Sequence, residues 1–285
     1  MTMELRTERI KVPPLAPAVQ PGPAAAAWIA FEAPTAAGLL RLWVWGGVRH
    51  AADAAVLLDG CAPLLDALDA WIDFAPAWRW CSQGPSPDPA TPHARAQWQP
   101  SDSGEGHAGC RIDVPWALLR GLPVPGDALA AQLRWAATPA VLVLAQMRLT
   151  DDETAALEPG GAVLLPASLD SGWHGRLRAC DEPAIPAAGL AVALPRPWTP
   201  QPVSAADKAT AAADDAWCEV RLGMPQPMDA RALAGWQACE PLEPDARASL
   251  WRCAAESGPA RYLAGGVLMP WGDGWALRID SFEVA

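Results

Sequence analysis

The chain has 285 residues with a formal net charge of −11, and 51% of them are hydrophobic. The length suits two or three domains, and an acidic chain without a basic cluster is a poor nucleic-acid binder. No run approaches the about 18 consecutive apolar residues of a membrane-spanning helix. The first residues mix both charge signs and lack the apolar stretch of a signal peptide. We therefore expect a cytoplasmic protein that binds no nucleic acid and does not insert into a membrane.

Residues 1–130 are predicted to form a mixed N-terminal domain. Two apolar stretches rich in branched and aromatic residues, Trp28–Phe31 and Leu39–Trp45, indicate strands. Apolar residues recur at helical spacing in Ala51–Leu58 and Pro63–Phe74, which predicts two helices.

Residues 82–109 are dense in Pro, Ser and Gly and are predicted to be an exposed flexible loop. The loop contains a formal GxGxxG pattern at Gly104–Gly109. That pattern binds phosphates only between a strand and a helix, so we predict no nucleotide site here.

Residues 131–199, the first segment, are predicted to be mainly β. A capping box of Thr150 and Glu153 marks a short helix, followed by Leu-Glu-Pro at residues 157–159. The predicted strands are Leu129–Trp135, Ala140–Leu149, Ala162–Leu165, Trp173–Cys180 and Leu190–Leu194.

After a predicted linker at 200–214, the second segment, residues 215–285, repeats this plan. Asp229 is predicted to cap a short helix that runs to Gln237, and Leu-Glu-Pro recurs at residues 242–244. The predicted strands are Trp217–Gly223, Ala248–Cys253, Tyr262–Met269 and Trp275–Ile279, the last two joined by a tight turn.

The residues suited to metal or nucleophilic chemistry do not form a recognisable pattern. Cys81, His93, His107 and Cys110 could ligate zinc, but their spacing matches no structural zinc module. The 7 cysteines are scattered, which favours free thiols in a reducing compartment. We therefore predict no catalytic residues, no cofactor and no metal.

The second segment resembles the SpoA domain of type III secretion and flagellar ring proteins. The resemblance rests on Glu219–Gly223, on Leu263–Met269 with its glycine pair, and on Trp275–Ile279. Residues 158–165 of the first segment look like a diverged second copy. An N-terminal domain followed by two SpoA copies is similar to the SctQ family of cytoplasmic-ring, or sorting-platform, proteins.

The resemblance implies an α+β fold in which two mainly-β SpoA domains pair as an intertwined small β-barrel. It also implies a non-enzymatic adaptor at the cytoplasmic face of the inner-membrane secretion apparatus. Its expected contacts are an SctL-like stator, an SctN-like ATPase through that stator, an SctK-like adaptor and further copies of itself.

The resemblance also implies a set of core or pairing residues. They are Leu157, Gly160, Trp217, Leu222, Gly223, Trp236, Trp251, Gly265, Gly266, Trp275 and Ile279. Five tryptophans are expected to supply the shared core: Trp217, Trp236, Trp251, Trp271 and Trp275. The close backbone approach expected at Gly266 would come from the other SpoA copy.

Two alternatives remain open at this stage. One is a flagellar motor switch protein, which shares the SpoA domain. The other is an enzyme that uses the cysteines and histidines, with or without zinc.

Overall fold

Two antiparallel sheets carry most of the chain in the computed structural model. It describes residues 27–82, 93–99, 109–166, 174–182, 189–193, 216–237, 244, 247–253, 260–272 and 274–282. The predicted linker and most of the predicted 82–109 loop lie outside these ranges. None of the helices within them is long and apolar enough to cross a membrane.

The first sheet has six strands in the order β3-β1-β2-β5-β4-β6. The strands are β1 (Ala27–Thr35), β2 (Gly38–Gly46), β3 (Arg79–Trp80), β4 (His93–Trp98), β5 (Cys110–Pro115) and β6 (Leu133–Trp135). One face of this sheet is apolar because alternate residues of β1, β2 and β5 point the same way. Phe31, Leu42 and Ile112 are almost completely buried there.

Four short helices belong to this N-terminal region. They are α1 (Ala51–Asp59), α2 (Ala62–Ile72), α3 (Trp116–Gly121) and α4 (Asp127–Gln132). The His50 imidazole accepts a hydrogen bond from the Asp53 amide and caps α1. Leu64 and Leu68 of α2 are fully buried in the same core as the apolar face of the sheet. The amphipathic pattern therefore predicted α1 and α2 correctly.

Two predictions for this region were wrong. Strand β4 lies inside the stretch predicted to be a loop. Its inward residues include Ala94 and Ala96, which give a weak hydrophobic alternation between Pro- and Ser-rich flanks. Residues 127–132, which overlap a predicted strand, form α4, and only Leu133–Trp135 is extended.

The second sheet has eight strands in the order β11-β10-β8-β12-β14-β15-β16-β9. The first segment supplies β8 (Ala140–Leu149), β9 (Ala162–Leu164), β10 (His174–Ala179) and β11 (Leu190–Ala193). The second segment supplies β12 (Ala216–Gly223), β14 (Arg247–Cys253), β15 (Arg261–Trp271) and β16 (Gly274–Phe282). A separate two-stranded ladder joins β7 (Ala137–Thr138) to β13 (Met228–Asp229).

The two helices of these segments begin where the sequence predicted. Helix α5 (Asp151–Ala155) has the complete Thr150–Glu153 capping box. Helix α6 (Ala230–Leu233) is capped by Asp229, which accepts from the Arg231 amide at 2.7 Å, and it is shorter than predicted.

The strands of the two segments are interleaved. β8 pairs with β12 in the middle of the sheet, and β9 pairs with β16 at its far edge. The first segment therefore flanks the second on both sides. The mixed, mainly antiparallel architecture agrees with the predicted fold class. Among the described strands the sheet ends at β11 and β9, and it does not close into a barrel.

The N-terminal region packs directly on both segments. The Trp236 ring, just after α6, makes edge contacts with Trp71 and Trp135, and its indole N–H donates to the Leu122 carbonyl at 3.1 Å. The Arg120 guanidinium donates two hydrogen bonds to the Glu182 carboxylate, at 2.8 and 2.6 Å, and one to the Leu233 carbonyl. One arginine thus links all three parts of the chain.

We predict that Arg120→Ala lowers the free energy of unfolding by about 2–4 kcal/mol, because it leaves a buried Glu182 carboxylate without its cation. The measurement is urea unfolding followed by tryptophan fluorescence. Arg134→Ala, which removes an exposed arginine from β6, is the matched control and should change stability little. Equal stabilities of the two variants would contradict the role given to Arg120.

Candidate functional site

The pairing of β8 with β12 joins the two segments, and we take it as the candidate functional site. Glu219 lies opposite Gln146, and a bulge after Val220 shifts the register so that Arg221 lies opposite Val143. As in any strand, successive side chains of β12 point to opposite faces of the sheet. Cys218, Val220 and Leu222 point into the apolar core of the second sheet.

The other face of β12 carries a buried ionic cluster. The Arg178 guanidinium of β10 donates to both oxygens of the Glu219 carboxylate, at 2.9 and 2.5 Å. Arg221 Nε donates to the same carboxylate at 2.8 Å, and the Gln146 amide donates to it at 3.2 Å. The exposed fractions of the Arg178, Glu219 and Arg221 side chains are 1%, 0% and 7%.

The cluster is an unusual way to join two segments. Burying three charges costs several kcal/mol each in lost hydration, which the ion pairs offset only with good geometry. The bidentate contact and the two further donors supply that geometry. Arg178 and Gln146 come from the first segment and Glu219 from the second, so correct pairing is required to satisfy the carboxylate.

Trp251 and Cys253 of β14 complete the surroundings of Arg221. The Arg221 guanidinium lies 4.7 Å from the centre of the Trp251 ring, a cation–π distance. It also contacts the Cys253 sulfur at 3.9 Å. Burial, and next the negative charge of Glu219, raise the pKa of Cys253 to about 11. Cys253 is therefore a thiol at neutral pH and is not activated as a nucleophile.

The glycine pair of β15 lies at a second bulge. The register between β15 and β16 shifts between Gly265 and Gly266, which places Gly266 opposite Ile279. A Cβ atom on Gly266 would clash with the Arg278 carbonyl oxygen. The expected close approach exists, but it comes from the adjacent strand of the same segment. The expectation that the other segment supplies it was wrong.

Gly160 and Ile279 meet across the edge of the sheet. The Gly160 amide donates to the Ile279 carbonyl at 2.8 Å, and the Ile279 amide donates to the Gly161 carbonyl at 2.9 Å. Gly160 has φ of +84°, a left-handed conformation that favours glycine. Two residues singled out in different segments thus lie on one contact between the segments.

The other singled-out residues fall into three groups. Leu222, Trp275 and Ile279 are buried in the core of the second sheet, and Leu157 packs against it. Trp217 and Trp251 are half-buried, and Gly223 ends β12 opposite Val141. Trp236 belongs instead to the core of the first sheet.

The expected tryptophan core is therefore wrong in part. Trp271 is 51% exposed and cannot be a core residue. Of the five tryptophans, only Trp275 is buried in the core of the second sheet.

Sequence reasoning missed the ionic cluster. A usable signal was present in Glu219 and Arg221, which alternate with Cys218, Val220 and Leu222. This pattern normally indicates a strand with one solvated face. The strand is central and buried on both faces, so its charges needed partners that local sequence does not reveal.

The cysteines and histidines considered for catalysis are dispersed where the structure describes them. His93 and Cys110 lie at opposite ends of the β4–β5 pair, and the His93 imidazole donates to the Leu39 carbonyl at 2.7 Å. Cys110 is instead 3.3 Å from the buried Cys61 sulfur. The hydrogen bond between these thiols lowers the pKa of Cys61 and raises that of Cys110. His107 lies outside the described residues, and no metal-binding group of three is found within them.

No family model, curated protein or solved structure gives a significant match to this chain.

We predict that Glu219→Gln lowers the free energy of unfolding by about 3–5 kcal/mol, since two arginines then stay buried without their carboxylate. Denaturant unfolding should show this loss. A triple variant, Arg178→Met with Glu219→Leu and Arg221→Met, removes all three charges and should recover most of it. If the triple variant is no more stable than Glu219→Gln, unpaired buried charge is not the cause of the stability lost in Glu219→Gln.

We predict that Gly266→Ala lowers stability by about 2–3 kcal/mol or more, because the methyl group forces β15 away from the Arg278 carbonyl. Gly121→Ala is the matched control, since nothing lies near its Cβ position and φ is not positive. Thermal melting of both variants tests this. A Gly266→Ala variant that melts with the wild type would refute the close approach.

Proposed function

We propose that this chain is a non-enzymatic structural adaptor of the cytoplasmic ring, or sorting platform, of a type III secretion system. In this proposal it is a member of the SctQ family, and it acts at the cytoplasmic face of the inner-membrane apparatus. Support comes from the resemblance of Glu219–Gly223, Leu263–Met269 and Trp275–Ile279 to the SpoA pattern.

The observation that carries the proposal is the interleaved sheet. β8 and β9 of the first segment pair with β12 and β16 of the second. Exchange of strands between two copies is what the SpoA resemblance implies. A segment of about 70 residues buries a smaller share of its surface than a larger domain and is marginally stable alone, so sharing one sheet stabilises both. The described strands of this paired unit form an open sheet, so we take from the resemblance the pairing of the two segments and not a closed barrel.

The two parts of the molecule would have different partners. The paired segments would dock an SctL-like stator, and through it an SctN-like ATPase. The N-terminal region would contact an SctK-like adaptor, and copies of the chain would associate around the ring. Trp236 and Arg120 attach the N-terminal region to the paired segments, so the chain would hold its two sets of partners together.

We expect the tagged chain, purified from its native host after mild crosslinking, to carry SctL-like and SctN-like proteins. Deleting the stator gene should remove the ATPase from the purified material, because that contact is indirect. Glu219→Gln should reduce recovery of the stator, whereas the Arg134→Ala control should not.

Recovery of flagellar switch components instead would support the flagellar alternative. Recovery of neither set would refute the adaptor proposal. Zinc found by elemental analysis of the purified chain would support the enzyme alternative.

A further inference from the structure

The far edge of the second sheet combines three features of a docking surface. It is built by β9 of the first segment and by β14, β15 and β16 of the second. We call the exposed face of these strands the edge surface. Its members are Leu164, Met269, Trp271, Arg247 and Arg278.

The first feature is an apolar row in which Leu164 and Trp271 are exposed, Met269 is half-buried and the small Ala276 between them is covered. Leu164 of β9 lies opposite Ala276 of β16, which lies opposite Met269 of β15. Their neighbours Val163 and Leu277 point into the core, so Leu164 and Met269 share the opposite face. Leu164 is 62% exposed and Trp271, two residues beyond Met269, is 51% exposed. Such side chains grouped on one face mark an interaction site more often than scattered ones do.

The second feature is a pair of arginines beside this row. Arg247 and Arg278 flank Val267 in the next cross-strand row. Their side chains are 69% and 52% exposed. Both approach Asp280, at 3.6 and 3.3 Å, but exposed pairs at such distances contribute little. The arginines can therefore exchange Asp280 for a carboxylate of a partner at small cost.

The third feature is the backbone of β9. The hydrogen bonds to β16 involve Gly161 and Leu165. In an antiparallel ladder the intervening amides of Ala162 and Leu164 then point to the other side. No described strand lies on that side. This edge can accept an added strand.

We propose that the edge surface binds an extended, amphipathic, acidic segment of a partner protein, added as a strand beside β9. Apolar side chains of the segment pack on Leu164 and Trp271, and its carboxylates pair with Arg278 and Arg247. The chain carries a net charge of −11, so an acidic partner is attracted only at such a local cationic site. A second copy of the chain that docked through the same surface would instead place its own arginines against these arginines, and like charges repel.

The inference deepens the adaptor function proposed above and rests on it only for the existence of a protein partner. Its test uses no secretion component, so the two can fail separately. The purified chain is used to select from a phage library of random linear peptides. The selected peptides should alternate aliphatic or aromatic residues with Asp and Glu, and they should bind less tightly as salt increases.

Three variants and a control locate the binding. Leu164→Asp and Trp271→Asp should each weaken a selected peptide by about tenfold or more, as expected for central apolar anchors. Arg278→Gln should weaken it less and flatten its salt dependence. Val124→Asp alters an equally exposed aliphatic residue, 61% exposed, in the N-terminal region and should have no effect. Circular dichroism verifies that each variant is folded.

Peptides without acidic residues, equal binding by Leu164→Asp and wild type, or no enrichment at all would each overturn the proposal. So would a wild-type oligomer that Leu164→Asp converts to a monomer in light scattering, since a second copy would then occupy the surface.

Discussion

The Glu219 carboxylate is the constraint on which the C-terminal architecture depends. It is completely buried, and the two guanidinium groups that neutralise it belong to β10 and to its own strand. A carboxylate in this position cannot be left with one weak partner, because the lost hydration would exceed the remaining attraction. β10 must therefore lie on the far side of β8, and β8 must lie against β12. The order β10-β8-β12 is the arrangement that gives this one carboxylate its partners.

The elements that sequence could predict were those with a strong local signal. The alternation in β12, the Thr150–Glu153 capping box and the Asp229 cap all depend on residues within a few positions of each other. β4 gave no such signal, because its inward positions include two alanines. The ionic cluster could not be predicted from neighbouring residues, for a different reason. Arg178 and Glu219 are 41 residues apart, and only the strand order brings them together.

Tryptophan behaves differently from the other large apolar residues in this chain. Leucines such as Leu64, Leu142 and Leu277 are completely buried, whereas the tryptophans range from Trp116, which is 1% exposed, to Trp271, which is 51% exposed. An indole carries an N–H group that needs an acceptor. Loops where the N-terminal region meets the two segments offer backbone carbonyls that are not already used in strand pairing. The indole of Trp71 donates to the Pro123 carbonyl and that of Trp236 to the Leu122 carbonyl. Expecting tryptophan to fill the sheet core neglected this requirement, and composition alone could not show which rings would find acceptors.

The pairing of β9 with β16 has a consequence for synthesis of the protein on the ribosome. β9 ends at Leu164 and its partner begins at Gly274, so about a hundred residues are translated between them. At a translation rate of about 5–20 residues per second, β9 waits about 5–20 seconds for its partner strand β16. During that interval the nascent chain exposes Val163 and Leu165, which are later buried. β9 can therefore take its native place only after nearly the whole chain has been translated.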